Sequence, residues 1–288
     1  MCYDIAINKA LGGISVTKTI TFANFKGGTG KTTNSTMIAY ELASMGYKTL
    51  LIDHDPQANA TALFMKTYEV LHNEPPKFEK TLMTAMKEDD LGQIVMQIKE
   101  NLYLLPSYKD FKQFPFYMES IYPKDQDARM KHLSKQLEPI LPQFDFVLID
   151  TPPTSSLFTS GALYASDYVV IALQTEERSL DGAEMFIDEL NELFEVEGFD
   201  IQILGILPVL YENDSAVDEI ILQDAHETFG DNNMFKQVIR RMKRLKRWDS
   251  IGITDDKSDM WDKRTHAVYS NVTNELLGRL KGMEENEQ

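Results

Sequence analysis

The run FKGGTGKTT, Phe25 to Thr33, constrains this chain more than any other feature. It follows TITFANF, which reads as a buried strand from Thr19 to Phe25, and it opens a helix-period segment from Thr32 to Met45 closed by Gly46. A strand, a glycine-rich turn and a helix in that order let successive backbone N–H groups turn inward at the positive end of the helix. That geometry cradles phosphate. Gly27, Gly28, Thr29, Gly30, Lys31, Thr32 and Thr33 then line the phosphates, with Lys31 as a point charge and the Thr32 hydroxyl placed for Mg2+.

The loop departs from the general pattern GxxxxGKS/T. Phe25 stands where the first glycine belongs, and a second lysine, Lys26, precedes the glycine pair. At the start of the loop Lys26 points away from its own phosphates; a second subunit would bring it onto the γ-phosphate, in the role of an arginine finger. The competing reading is a solvated surface lysine.

Strand-like apolar runs recur at Lys48 to Asp53, Leu102 to Leu105, Phe144 to Ile149, Tyr168 to Leu173 and Ile201 to Leu207, separated by mostly helical segments. This alternation predicts an α/β fold, a doubly wound, mostly parallel sheet flanked by helices in a single domain. Asp53 and Asp55 close one strand and Asp150 another, at the sheet edge where such folds bind ligands. Asp150 fits the Mg2+-holding acid of nucleotide hydrolases, and the pair before it fits the metal shell and the attacking water. The boundaries expected are a tail at 1–18, an ATPase domain at 19–282 and a disordered acidic tail at 283–288. The final helix is predicted over about Asp262 to Lys281, and the aromatic patch from Phe111 to Tyr122 reads as a partner site or a core lid.

Composition narrows the function. One cysteine, Cys2, leaves no partner for a disulfide and no thiolate set for a metal. No stretch approaches the roughly 18 apolar residues of a membrane span, and the N-terminus lacks the pattern of a signal peptide, so a cytoplasmic protein with no membrane partner is expected. The net charge of −16 opposes nucleic-acid binding, yet Met234 to Trp248 holds seven basic residues and no acid. If that segment were helical, Arg240, Arg241, Lys243, Arg244 and Arg247 would share one broad face. Trp248 and Trp261 are expected to anchor packing or an interface, and His54 to be a variable loop residue.

From Thr19 onward the chain resembles the ParA-type partition ATPases, in the deviant Walker A class that also holds the regulator MinD. The resemblance rests on KGGTGKTT, IDHDPQANAT, NLYLLPS, the DTPP strand end, ALQTEERSLDG and GILPVLY. It implies ATP and Mg2+ as cofactors, a homodimer with ATP sandwiched between subunits, and slow hydrolysis. Lys26 would act across the dimer, Lys31 on the phosphates, Thr32, Asp55 and Asp150 around magnesium, and Asp55 in hydrolysis. Pro208 would fall near the adenine. The basic stretch would bind double-stranded DNA without reading sequence, Arg241 and Arg244 matching best, and a ParB-like centromere-binding protein would trigger release from the nucleoid. A MinD-like regulator is the alternative, opposed by the acidic end GMEENEQ. A cluster-bearing reductase of the same fold would need paired cysteines, and an autorepressor would need a DNA-reading domain before Thr19.

Overall fold

The apolar runs become strands covered on both faces, and their residues divide by parity. Ile20, Phe22, Phe146, Leu148 and Val170 enter one apolar cluster, whereas their neighbours Ala23, Val147, Ile149, Val169 and Ile171 pack on the opposite side. Successive strand residues point to opposite faces, so a strand apolar throughout is stable only between two helical layers. The computed structural model describes residues 16–24, 26–175, 177–197, 199–211 and 216–286. Cys2, the Gly12-Gly13 pair and Phe25 lie outside them.

Along the chain come β1 (Lys18–Ala23), α1 (Lys31–Ser44), β2 (Thr49–Asp53), α2 (Asn59–His72), α3 (Leu82–Lys87), β3 (Met96–Lys99) and β4 (Leu102–Leu105). Then follow α4 (Phe114–Ile121), α5 (Gln126–Leu137), β5 (Phe146–Asp150), α6 (Leu157–Tyr164), β6 (Tyr168–Gln174) and α7 (Glu177–Glu197). The last are β7 (Gln202–Tyr211), α8 (Ala216–Phe229), β8 (Ile239–Arg240), α9 (Lys243–Ile251) and α10 (Met260–Asn286). The eight strands form one sheet in the order β3-β4-β2-β5-β1-β6-β7-β8. Only the β3–β4 pairing at one edge is antiparallel among the named strand pairs. Residues of α1, α2, α9 and α10 cover one face, and those of α3 to α8 cover the other. No helix among the described residues is long and apolar enough to cross a membrane.

One sequence expectation needs revision, and one left open is narrowed. The last helix runs to Asn286, so 283–286 is helical where a frayed tail was expected. Acids there have cations within reach: Glu284 meets Lys18 at 2.5 Å and Glu285 meets Lys281 at 3.7 Å. The aromatic patch resolves largely into a lid, because Phe111 and Phe114 are fully buried while Phe116 stays 75% exposed.

α2 and α9 meet where Gly252 ends α9. Gly252 has φ 88° and ψ 162°, a region nearly restricted to glycine. A Cβ there would stand 2.6 Å from the carbonyl carbon of Lys66. Next to it the Ile253 N–H donates to Thr67 Oγ1 at 2.9 Å, and the Lys66 ammonium donates to the Asp249 carbonyl. Gly252→Ala is therefore expected to cost about 2–5 kcal/mol, from backbone strain plus overpacking. Urea denaturation checks this; a midpoint unchanged from wild type would mean that the two helices separate without cost.

Candidate functional site

Parallel strands place their carboxyl ends at one edge, and the glycine-rich loop leaves β1 at that edge. Gly28 (φ 80°) and Gly30 (φ 72°) adopt the left-handed conformation that turns the loop into α1. Asn24, which the sequence reading passed over, organises the turn. Its amide donates to the Ala172 carbonyl at 2.8 Å and its Oδ1 accepts from the Lys26 N–H at 2.8 Å. The Lys31 ammonium, on a residue only 6% exposed, donates to the carbonyls of Asn24 at 2.9 Å and Lys26 at 3.1 Å. Burial lowers its pKa to about 8, against the attraction of Asp150 and Asp55. Lys26 is half-buried at the loop's outer end, with Gly182 of α7 near its Cβ, while Gly27 and Gly28 are exposed.

The carboxylates approach Lys31 from the next strands. Asp53 and Asp150 stand at paired positions of β2 and β5. Both are fully buried, and burial pushes both carboxyls above the usual carboxylate range, each reinforced by other negative charge nearby. Their roles differ in detail. Asp53 spends both oxygens on its own turn, accepting from the Asp55 N–H at 3.2 Å and the Thr61 N–H at 2.7 Å. It latches the segment between β2 and α2. Asp150 accepts from Ser35 Oγ at 3.2 Å through Oδ1, whereas its buried Oδ2 has no hydrogen-bond partner. Asp55, 6% exposed, caps Gln57 at 2.8 Å, and its carboxyl is raised by burial. Ser35 carried no signal in the sequence beyond its place one turn into α1.

His54 is a core residue rather than a variable loop residue. It is fully buried among Phe111, Phe114 and Phe158, with ring centroids 5.1, 5.6 and 5.8 Å away, and its Nδ1 lies 3.0 Å from the Phe158 carbonyl. Burial drives its pKa down to about 4, so the ring is neutral. The two acids flanking it are thus fixed to the lid.

Beside the loop a cleft of about 250 Å³ is lined by Gly30, Thr33, Asn34, Val209, Leu210, Arg241, Met242 and Lys246, among others. Pro208, expected near the adenine, is buried inside β7 in register with Leu173. Its neighbours Val209 and Leu210, the latter at φ 60°, face the cleft instead.

An AAA domain profile matches residues 17–203. The chain is 30% identical to a virulence plasmid ParA family protein, pGP5-D, of Chlamydia psittaci, over 78% of this chain and 81% of that one. It is also 30% identical to the sporulation initiation inhibitor protein Soj of Bacillus subtilis, over 82% and 88%. The chain belongs to the ParA family. Among solved structures, a Cyanothece McdA–ATP complex matches the fold with a TM-score of 0.75 at 21% identity, over 92% of this chain and 97% of that one.

In this ParA-family chain the basic stretch is not one helix. Ile239 and Arg240 form β8, Met242 is extended (φ −120°, ψ 123°), and α9 begins at Lys243. The shared helical face expected for Arg240, Arg241, Lys243, Arg244 and Arg247 therefore does not form. Arg240, Arg241, Lys243 and Arg247 are exposed. Arg244 is not: its guanidinium is buried against Asp259 at 2.5 Å and Asp262 at 3.1 Å, so it fastens α9 to α10 and is removed from the phosphate-contact set. Trp248 anchors packing as expected, 1% exposed with its N–H on Thr254 Oγ1 at 2.9 Å, whereas Trp261 is 56% exposed.

His266 completes that junction. Its Nδ1 lies 2.6 Å from Glu41 Oε1 and its Nε2 2.9 Å from the Thr254 carbonyl. Both partners only accept, so the ring donates from both nitrogens and is an imidazolium. Burial opposes that charge, but the Glu41 and Thr254 hydrogen bonds outweigh it and the pKa is raised above 6.5. A raised folded-state pKa gives stability that is complete below the unfolded value and is lost as pH climbs through the folded one. Denaturation midpoints from about pH 6 to about pH 9 should fall for wild type in that window, with a shallower slope in His266→Ala. Parallel profiles for the two proteins would refute the imidazolium.

Proposed function

We propose that this ParA-family chain is a Mg2+-dependent ATPase of DNA partition, whose ATP-bound homodimer holds DNA without sequence preference. The observation that carries the reading is the convergence of Lys31, Asp150 and Asp55 at the mouth of a glycine-rich loop that begins a helix. In this reading the amides of Gly27 to Thr33 bind the phosphates and Lys31 neutralises the β and γ oxygens. Asp55 orients the attacking water, and Lys26 reaches the partner subunit's γ-phosphate.

The residues present suit magnesium. Among the described residues no group of three or more His, Cys, Asp or Glu side chains is arranged around a metal. Mg2+ commonly takes only one or two carboxylates, together with substrate phosphate and water. The buried, unpartnered Oδ2 of Asp150 fits that donor set, with the Thr32 hydroxyl beside it. Bound there, the ion would neutralise charge on the phosphates. Asp55 would join through water, since its carboxylate already caps Gln57.

Arg240, Arg241, Lys243 and Arg247 are the proposed phosphate contacts, and release is proposed to follow hydrolysis stimulated by a ParB-like centromere-binding protein. Cytoplasmic, nucleoid-associated localisation belongs to the same reading. Arg241 and Lys246 also line the cleft beside the loop, which supports a reading in which nucleotide and DNA meet one segment.

Lys31→Ala is expected to weaken ATP binding roughly 10–100-fold, about 1.5–3 kcal/mol for a charged hydrogen-bond partner, and to lose ATP-dependent DNA retention with it. Asp55→Ala should keep both bindings and lose turnover; normal hydrolysis by that variant would show that another group orients the water. With roughly four phosphates neutralised in all, log affinity for unrelated duplex should fall against log salt with a slope of about −3.6. A flat salt series would remove DNA from the proposal.

A further inference from the structure

The first turn of α10 presents a tryptophan to solvent. Trp261 is 56% exposed and Met260 beside it 64%, although an aromatic of that size is ordinarily covered or in use. The turn is held firmly. The Trp261 N–H donates to Asp259 Oδ1 at 2.7 Å, and its carbonyl accepts from Thr265 Oγ1 at 2.9 Å. Arg244 grips Asp259 and Asp262, on either side of Trp261, and so fixes this turn against α9.

Exposed cations lie on the segments that carry and adjoin the indole. Lys263 and Arg264 are exposed on the turn that follows, and Lys243 and Arg247 are exposed on α9 to either side of Arg244. Three acids of this stretch are paired with cations, Asp259 and Asp262 with Arg244 and Asp255 with Lys257, while Asp256 accepts from Ser258 and remains exposed. An exposed, rigid aromatic face flanked by cations suits a ligand with planar groups on an anionic backbone.

We propose that Trp261 is a stacking platform for an unpaired nucleobase, with Lys263, Arg264, Lys243 and Arg247 holding the adjoining phosphates. Nucleic acid with single-stranded character then binds this face more tightly than continuous duplex, whose bases are already stacked on one another. The inference rests on the nucleic-acid reading above and adds a second mode of contact to it.

The test uses the full-length protein with ATP and magnesium, probed by a labelled thymidine oligonucleotide and by an unrelated duplex of equal length. Trp248 is buried, so quenching of tryptophan emission by the oligonucleotide reports on Trp261. Quenching is expected, and Trp261→Ala should weaken oligonucleotide binding roughly 5–150-fold, the equivalent of about 1–3 kcal/mol per stacked base. Duplex binding should change less than about twofold, since phosphate contacts are retained, and Trp261→Phe should restore most of the loss. Equal oligonucleotide binding by wild type and Trp261→Ala, with duplex binding intact, overturns the platform and leaves the nucleic-acid reading standing. Failure of wild type to bind either probe at low salt overturns both. If vesicles rich in phosphatidylserine shift the emission while the oligonucleotide does not, the face serves a lipid surface and the inference is wrong.

Discussion

The pairing of Asp53 with Asp150 across adjacent parallel strands is the constraint on which the site depends. Parallel register brings both carboxyls to one edge, and the helical layers bury them. Two buried acids side by side repel each other and desolvate, which is costly unless cations approach. Lys31 answers part of that cost from the loop, and Asp53 answers more by capping two backbone N–H groups. What is left over is Asp150 Oδ2. The fold thus concentrates electrostatic imbalance at one point, beside the loop that would bring phosphate.

From that point α2 leads away to the basic ridge. Its start is latched by Asp53 through Thr61, and Thr61 Oγ1 also accepts from the Ser107 N–H at 2.9 Å. Near its middle, Lys66 and Thr67 meet Gly252 and Ile253 just past α9. A rigid helix held at its start and near its middle cannot shift at one point without loading the other, because close-packed interfaces deform little. The same ridge is also the wall of the cleft beside Gly30 and Thr33. Two contiguous routes therefore run from the acid turn and the loop to the exposed cations, which is a physical basis for coupling and not yet a measurement of it.

Much of this was legible in the sequence, and the failures have a common cause. Strand positions, the phosphate loop and the strand-end acids are local patterns: apolar runs of strand length, a glycine turn, a carboxylate after an apolar run. Arg244 looked like its neighbours because the acids that bury it, Asp259 and Asp262, lie more than a dozen residues on. His54 read as a loop residue because its cage is assembled from Phe111, Phe114 and Phe158, all distant in the chain. Asn24 and Ser35 are ordinary polar residues until the sheet brings Ala172 and Asp150 to them. Residue type and spacing reveal what a segment does to its own backbone; they do not reveal which distant side chain will neutralise it.

The charge distribution then makes sense as a matter of range. A body of net charge −16 disfavours a polyanion in general, and a ridge of exposed cations attracts it on contact. At physiological ionic strength the Debye length is about 8 Å, so the acidic body acts weakly beyond the surfaces that touch, whereas a phosphate seated on Arg247 or Lys263 feels the ridge nearly unscreened. Such a surface discriminates by shape and proximity. Ligands that can lie along α9 and the first turn of α10 gain the attraction of clustered cations. Burying Arg244 at the junction sacrifices one cation of that ridge, and in exchange the remaining cations are held at fixed positions relative to the cleft beside Gly30 and Thr33.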